Sequence, residues 1–283
     1  MTNEGFYDAV RAGDTAGVGE FLTQNPDRVQ WTNPAAEVEN SGQWNEISPL
    51  HSAAKYGQLA MVRLLVERGA EVYSHPFSSY PAVMVADWQG HQEVVRYFLK
   101  EIPEKAAGTR GLGITCNLAA RQGWIEIVRR HIEIDPLAVH QRGWIGDTPL
   151  HWPSHNGHIE IVRLLLDHGA DATAHEISWI GGTPLHWASE REPAIMALLI
   201  SAGADVNARV EKEGSDHLGG TPLHWCARQR EDSAECIEVL LKHGADPTIL
   251  DAFGKTAAEY AREESHLRVL AALALNDAHK MSS

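Results

Sequence analysis

Apolar residues along this 283-residue chain come in short bursts spaced three and four apart, each interrupted by glycine or proline before a long helix could form. Ile159, Val162, Leu165 and Leu166 are one such burst, Val94, Val95, Phe98 and Leu99 another, and Val18, Phe21 and Leu22 a third. That spacing puts the apolar residues on one side of a helix of two to three turns. Thr148, Thr183 and Thr221 each precede a proline, and a threonine hydroxyl followed by proline at the first helical position starts a helix sharply. Gly157, whose left-handed conformation can end that helix, is followed by His158 and a second apolar burst, and Gly169 closes the unit. A pair of helices this short cannot bury its own apolar face and must stack on copies of itself.

The copies are explicit. Thr148-Pro149-Leu150-His151-Trp152, Thr183-Pro184-Leu185-His186-Trp187 and Thr221-Pro222-Leu223-His224-Trp225 repeat one opener, and Gly169, Gly203 and Gly244 each start a Gly-Ala-Asp ending. A period of thirty-odd residues marks a stacked array. With Gly157-His158 between the helices, the wording resembles the ankyrin repeat, and the resemblance covers nearly the whole chain. It implies an all-α solenoid of stacked helix-turn-helix units joined by β-hairpin-like loops. Weaker openers stand at Ser48-Pro49-Leu50-His51, Pro81-Ala82-Val83-Met84, Ile114-Thr115-Cys116-Asn117 and Thr256, so the frame advances by 33, 33, 34, 35, 38 and 35 residues. Counting a degenerate N-terminal unit over Phe6 to Leu22, eight repeats are predicted. The expected organisation is one solenoid over 1–275: a cap over 1–33, a long loop over 29–45, repeats over 43–248, a C-terminal cap over 251–275 whose last helix runs from His266 to Leu275, and a flexible tail over 276–283.

Charge and composition narrow the function. A formal net charge of -14 argues against gripping nucleic acid or an anionic membrane, both of which call for clustered Lys and Arg. A basic partner is compatible with it. Cys116, Cys226 and Cys236 have no paired ligand spacing, so neither disulfides nor a zinc site is predicted, and a reducing, cytoplasmic setting is expected. No stretch has the length of a membrane span. No metal site or cofactor is expected.

Nine tryptophans are about twice average usage, and their positions matter more than their number. By the resemblance, hairpin tips lie about four residues before each opener, which places Trp44, Trp144, Trp179 and His217 at tips, with Ile145, Ile180 and Leu218 beside them. Exposed aromatics in a row signal something bound or something covered. Trp152, Trp187 and Trp225 follow the opener histidine, where the bland reading is packing between helices. Variable first-helix positions give Tyr56, Trp88, Arg121, His155, Glu190, Arg191 and Arg228 as a polar band. The implied function is binding of a partner protein or peptide in a concave, Trp-lined groove built from these residues.

The competing class is an enzyme or a receptor for a small aromatic or polar ligand. It would be roofed by the loops from Trp31 to Asn45 and Val210 to Gly220, with His155 as acid or base and Asp147 or Glu190 as its partner. Pro153 sharpens that alternative, because a proline inside the first helix should bend it, the bland reading being that so short a helix absorbs it in its N-terminal turns. The remaining opener histidines, His51, His151, His186 and His224, are expected to tie neighbouring loops by hydrogen bonds. A plain spacer is the third possibility, against which the aromatic tips argue.

Overall fold

The structure, a computed structural model, describes residues 1–31, 48–72, 81–101, 110–143, 145–177, 180–189, 192–228 and 233–280. It divides into two compact units, 1–111 and 112–283. The first holds α1 (Asn3–Ala12), α2 (Thr15–Gln24), α3 (Pro49–Lys55), α4 (Leu59–Glu67), α5 (Ala82–Trp88) and α6 (Gln92–Glu101). In it α1 packs on α2, α3 on α4 and α5 on α6, while α1, α3 and α5 stack as one layer and α2, α4 and α6 as another.

The second unit repeats this plan with α7 (Arg110–Arg121), which begins at the division, α8 (Ile125–Ile134), α9 (His151–Asn156), α10 (Ile159–Asp167), α11 (Pro184–Ala188), α12 (Pro193–Ser201), α13 (Pro222–Arg228), α14 (Ala234–Lys242), α15 (Ala257–Glu263) and α16 (Leu267–Lys280). From α9 on, odd helices contact odd and even helices contact even. The core lies between the layers: Leu150, Leu165, Leu185, Leu199, Leu223 and Leu240 are fully enclosed, each removing apolar surface worth about 2 kcal/mol.

The helix ends follow the sequence logic. Thr256 caps α15 in a reciprocal box with Glu259, and Ser48 accepts the His51 amide at 3.3 Å to start α3. Gly13, Gly57, Gly90, Gly123 and Gly157 end first helices at φ of 66–79°, which a side chain resists. Where the final repeat needs the same turn, Ser265 takes it at φ 62°, and it is the sole non-glycine with positive φ among the described residues.

Two elements start or stop away from where the sequence puts them. Pro153 stands inside α9 without interrupting it. α9 begins at His151, with the His151 amide donating to Thr148 O in a tighter turn and the ladder resuming at Ser154 N to Leu150 O. The proline therefore falls among the first positions, whose amides have no helical acceptor. The other departure is α16, which continues to Lys280 instead of ending at Leu275, since no glycine or proline stops it. At the N-terminus, α1 has a capping residue the opener pattern missed: Thr2 accepts from Gly5 N at 3.1 Å. Trp31 lies against Phe6 and Phe21 with its carbonyl accepting from Tyr7 Oη at 2.6 Å, so this indole closes the first helix pair.

Adjacent repeats are tied in two directions. In the forward direction, the backbone N–H groups of Thr148, Thr183 and Thr221 donate to Nδ1 of His151, His186 and His224 at 3.0, 3.1 and 3.1 Å. With Nδ1 accepting, the proton sits on Nε2, which donates to the carbonyls of Gly182, Gly220 and Lys255 in the following repeat at 3.2, 3.3 and 3.0 Å. Burial holds these rings neutral, lowering the pKa of His151 to about 4 and of His186 to about 3, with His224 lowered for the same reason. In the backward direction, the residue that opens a second helix reaches the preceding repeat. His91 Nε2 donates to Lys55 O at 2.8 Å, His158 Nε2 to Arg121 O at 3.2 Å, and Gln58 Nε2 to Arg11 O at 3.3 Å. The imidazole comes so close that a Cβ on Gly57 would lie 2.6 Å from His91 Nδ1, so glycine is required there for space as well as for φ.

The loops of the second unit are hairpin-like, closed by backbone pairs although no strand forms among the described residues. Glu176 N donates to Gly182 O at 3.0 Å, and Val210 N to Gly220 O at 2.9 Å. Neighbouring fingers are joined by Ile177 N to Ile145 O at 3.3 Å and by Ala252 N to Leu218 O at 3.0 Å. Cationic side chains add Lys212 Nζ to Ile177 O at 3.1 Å and Arg209 Nη2 to Leu250 O at 2.6 Å.

Candidate partner-binding surface

The first-helix layer of the second unit brings together residues from successive repeats. Trp152 leaves α9 half-buried and meets Trp187 of α11 edge to face at 4.9 Å and 87°. His155, one turn after His151 on α9, lies 6.1 Å from Trp152 and 6.0 Å from Trp187. Arg121, at the end of α7, lays its guanidinium over the Trp152 ring at 4.7 Å. One surface thus holds an indole, an imidazole and a guanidinium from two consecutive repeats, a combination of apolar area and directed donors that suits recognition.

The three openers share a motif but not a fate. Trp187 and Trp225 are only 3% and 4% exposed. Trp187 is enclosed by His151, Trp152 and His155, and Trp225 by His186 at 5.4 Å and by His217, stacked at 4.6 Å and 17°. These two stand behind the surface, supporting it. Arg228 of α13 donates to Asp216 O at 2.6 Å, approaches His217 Nδ1 at 3.3 Å and lies 4.9 Å over the Tyr260 ring, tying the 210–220 hairpin to the helix layer.

At the hairpin tips Ile145, Ile180, His217 and Leu218 are half-buried. Trp44, Trp144, Trp179, Glu190 and Arg191 lie outside the described residues. The most exposed apolar tip residues are ones the sequence reading missed: Ile177 at 59%, Phe253 at 56% and Leu250. Their signal was present, since each lies three to six residues before an opener, but weight on tryptophan hid it. In the first unit Tyr56 and Trp88 are exposed at the ends of α3 and α5.

The carboxylates near this surface serve the loops. Asp147 is 2% exposed. Burial pushes its carboxyl up to about 6, against the backbone amides of Asp147 and Ile145 that favour the anion; the Glu176 charge adds to the rise and Arg121 opposes it. Glu176, also buried, accepts the amides of Ile180 and Gly181. Asp251 accepts from Phe253 N and Lys255 N and, at 2.6 Å, from Tyr260 Oη. Each carboxylate thereby holds a finger in shape. Among the described residues no group of three His, Cys, Asp or Glu is placed to hold a metal ion. The cysteines are buried, and burial raises the Cys116 thiol to about 12, far from a reactive thiolate.

Stacked helix pairs locked through opener histidines define a helical repeat protein. A model of three consecutive ankyrin repeats matches residues 6–107 and again 116–210, and a model of a single ankyrin repeat matches 218–252. The chain belongs to the ankyrin repeat family. It is 28% identical over 252 residues to ankyrin repeat protein nuc-2 of Neurospora crassa, an alignment covering 83% of this chain and 21% of that protein. It is 29% identical over 199 residues to the probable E3 ubiquitin-protein ligase XBOS32 of Oryza sativa, covering 60% and 38%. A third relative is the ankyrin repeat and KH domain-containing protein mask-1 of Caenorhabditis elegans, 28% identical over 196 residues, covering 68% of this chain and 7% of that protein. The chain thus spans well under half the length of these relatives. Among the described residues no helix is long and apolar enough to cross a membrane.

Proposed function

We propose that the chain is an interaction scaffold whose second unit binds a partner protein through the surface formed by its first helices and hairpin tips. Ankyrin repeats are a general protein-interaction fold, and the observation that carries the reading to this surface is the cluster of Arg121, Trp152 and His155, gathered from two consecutive repeats and backed by the buried Trp187 of the next. Exposed Ile177, Leu250 and Phe253 extend it along the tips with apolar area that the repeat stack does not use. Aromatic and arginine residues supply most interface hot spots. Positions 144, 179, 190 and 191 belong to the same proposed set of contacts, and the exposed Tyr56 and Trp88 are proposed contacts of the first unit by itself.

The acid–base reading is less well supported, because Asp147 is enclosed and already accepts loop amides. Site-specific photo-crosslinking in cells tests the proposal: a benzophenone side chain at position 152, 177 or 253 should capture another protein, and one at Glu160 on the even-helix layer should not. Equal capture from Glu160, or none from the first three, removes the assignment.

A further inference from the structure

Among the described residues of the second unit, the forward lock is missing at one joint. Asn117 stands where His151, His186 and His224 stand in the openers that follow, and a carboxamide is shorter than an imidazole. Each of those rings reaches the carbonyl that closes the next finger: Gly182 O, which also accepts from Glu176 N, Gly220 O, which accepts from Val210 N, and Lys255 O, which accepts from Asp251 N. The matching carbonyl ahead of Asn117 is Asp147 O, which accepts from Gly143 N at 2.8 Å. Asn117 does not reach it. Its Nδ2 extends to Gln141 O at 3.5 Å, longer than an ordinary hydrogen bond. Asn117 is only 5% exposed, and its Oδ1 and the Oε1 of Gln141 are enclosed with no hydrogen-bond partner. A buried acceptor left unpaired disfavours the closed packing and gains water when the packing opens.

The joint is built differently and does not merely lack a ring. Gly143 takes the place of Glu176 and Val210, and Asp147 that of Gly182 and Gly220. A Cβ on Gly143 would lie 2.6 Å from Asp147 Oδ1 and 2.7 Å from Asn117 Nδ2, so the glycine makes room for both side chains. The finger itself is held to the later repeats, by Arg142 Nη1 to His175 O at 2.6 Å and Ile177 N to Ile145 O at 3.3 Å. By contrast α7 is fastened to the fifth repeat at its opposite end, where Asn156 Nδ2 and His158 Nε2 both donate to Arg121 O, at 3.0 and 3.2 Å. Beside that point α8 packs on α10. One end fastened and the other loose is the arrangement of a hinge.

We propose that this joint is a seam at which α7 opens from the finger carrying Gln141, Gly143 and Asp147, pivoting on the Arg121 carbonyl. Arg121 stands on one side of the seam, Trp152 and His155 on the other, so its opening resets the spacing of side chains assigned above to a partner. The seam exists whatever binds there.

Two enclosed thiols test it. Cys116 adjoins Asn117 and Cys226 follows the locked His224; both are fully buried, so iodoacetamide reaches either only after a local opening. On the full chain, with each site quantified by mass spectrometry, Cys116 should be alkylated about ten-fold faster than Cys226. Asn117→His/Asp147→Gly, which copies the histidine and glycine of the next joint, should slow Cys116 about ten-fold and leave Cys226 unchanged, and His224→Asn should speed Cys226 about ten-fold. Cys116 alkylated no faster than Cys226 overturns the seam. So does a fast Cys116 that the folded double variant leaves fast, which would place the opening at the start of α7. Should the double variant unfold, seen as rapid alkylation of both thiols, the His224→Asn variant decides, and an unchanged Cys226 overturns the role given to the missing histidine.

Discussion

The openers at Thr183 and Pro81 make the same helix start by different means. Thr183-Pro184-Leu185-His186 begins α11 with a threonine and an imidazole joined to each other, and the imidazole then donates to Gly220 in the next repeat. Pro81-Ala82-Val83-Met84 begins α5 with a proline cap that makes no side-chain hydrogen bond, only Met84 N to Pro81 O at 3.0 Å, and the buried Met84 has no polar hydrogen to give. Both sequences start a helix, and only one couples repeats through its side chain. Starting a helix and joining it to its neighbour are separable tasks, and the histidine performs the second.

The contrast can be broken most forcefully at the histidine itself. His186→Ala leaves the Thr183 amide buried without its acceptor and removes one of the two donors to Gly220 O, the other being Val210 N, so with the lost ring packing a loss of about 3–4 kcal/mol in urea unfolding is expected, whereas Met84→Ala removes only packing and should cost about 2–3 kcal/mol. Equal losses would mean that the lock adds nothing beyond burial.

Acid is the next lever. The folded pKa of His151 and His186 lies below 6.5, so the stability they provide is complete above pH 6.5 and is lost as pH falls toward about 4. By pH 5 the two together forfeit about 4 kcal/mol. Asp147 moves the other way. Its raised carboxyl penalises the fold above pH 6, and protonation returns about 1.4 kcal/mol by pH 5. A net loss of roughly 3 kcal/mol between pH 7.5 and 5 should appear as a lower urea midpoint. Met84, which carries no titratable group, adds nothing to that slope, and a midpoint flat over this range would contradict the neutral-imidazole lock.

Smaller effects sharpen the comparison at the turn between helices. Gly157→Ala forces an L residue to φ 79° with its Cβ 2.7 Å from Glu192 Oε1, and thermal unfolding should show a loss of about 1–2 kcal/mol. Ser265→Gly, at the corresponding turn of the last repeat, relieves φ 62° and should stabilise by up to about 1 kcal/mol. A gain at 157 or a loss at 265 would show that the backbone is not the deciding factor at these turns.

The fold was legible because the residues that start, stop and lock each helix are local and repeat in order. The Gly-His pair of Gly157-His158 was visible as a helix boundary, yet its backward bond to Arg121 O could not be read without the neighbouring repeat. The surface was less legible for the same reason. Trp152, Trp187 and Trp225 sit in identical local words, and what separates them is the side chain contributed by an adjacent repeat: the guanidinium of Arg121 on Trp152, His151 and Trp152 against Trp187, His217 on Trp225. Pro153 allowed two readings because the pattern gives the helix start only to within a residue or two, and the start at His151 makes it an ordinary first-turn residue, the bland one of the two.

Both sets of inter-repeat bonds end on main-chain oxygens, those of Gly182, Gly220 and Lys255 in one direction and of Arg11, Lys55 and Arg121 in the other. A carbonyl is the same whatever side chain its residue bears. The threonine–histidine joint therefore makes no demand on the side chain of the residue that accepts it, and only the packing between repeats, such as Trp152 on Trp187, limits which module can follow. Gene-level gain or loss of a repeat is, for this architecture, an edit of length that leaves the joints intact.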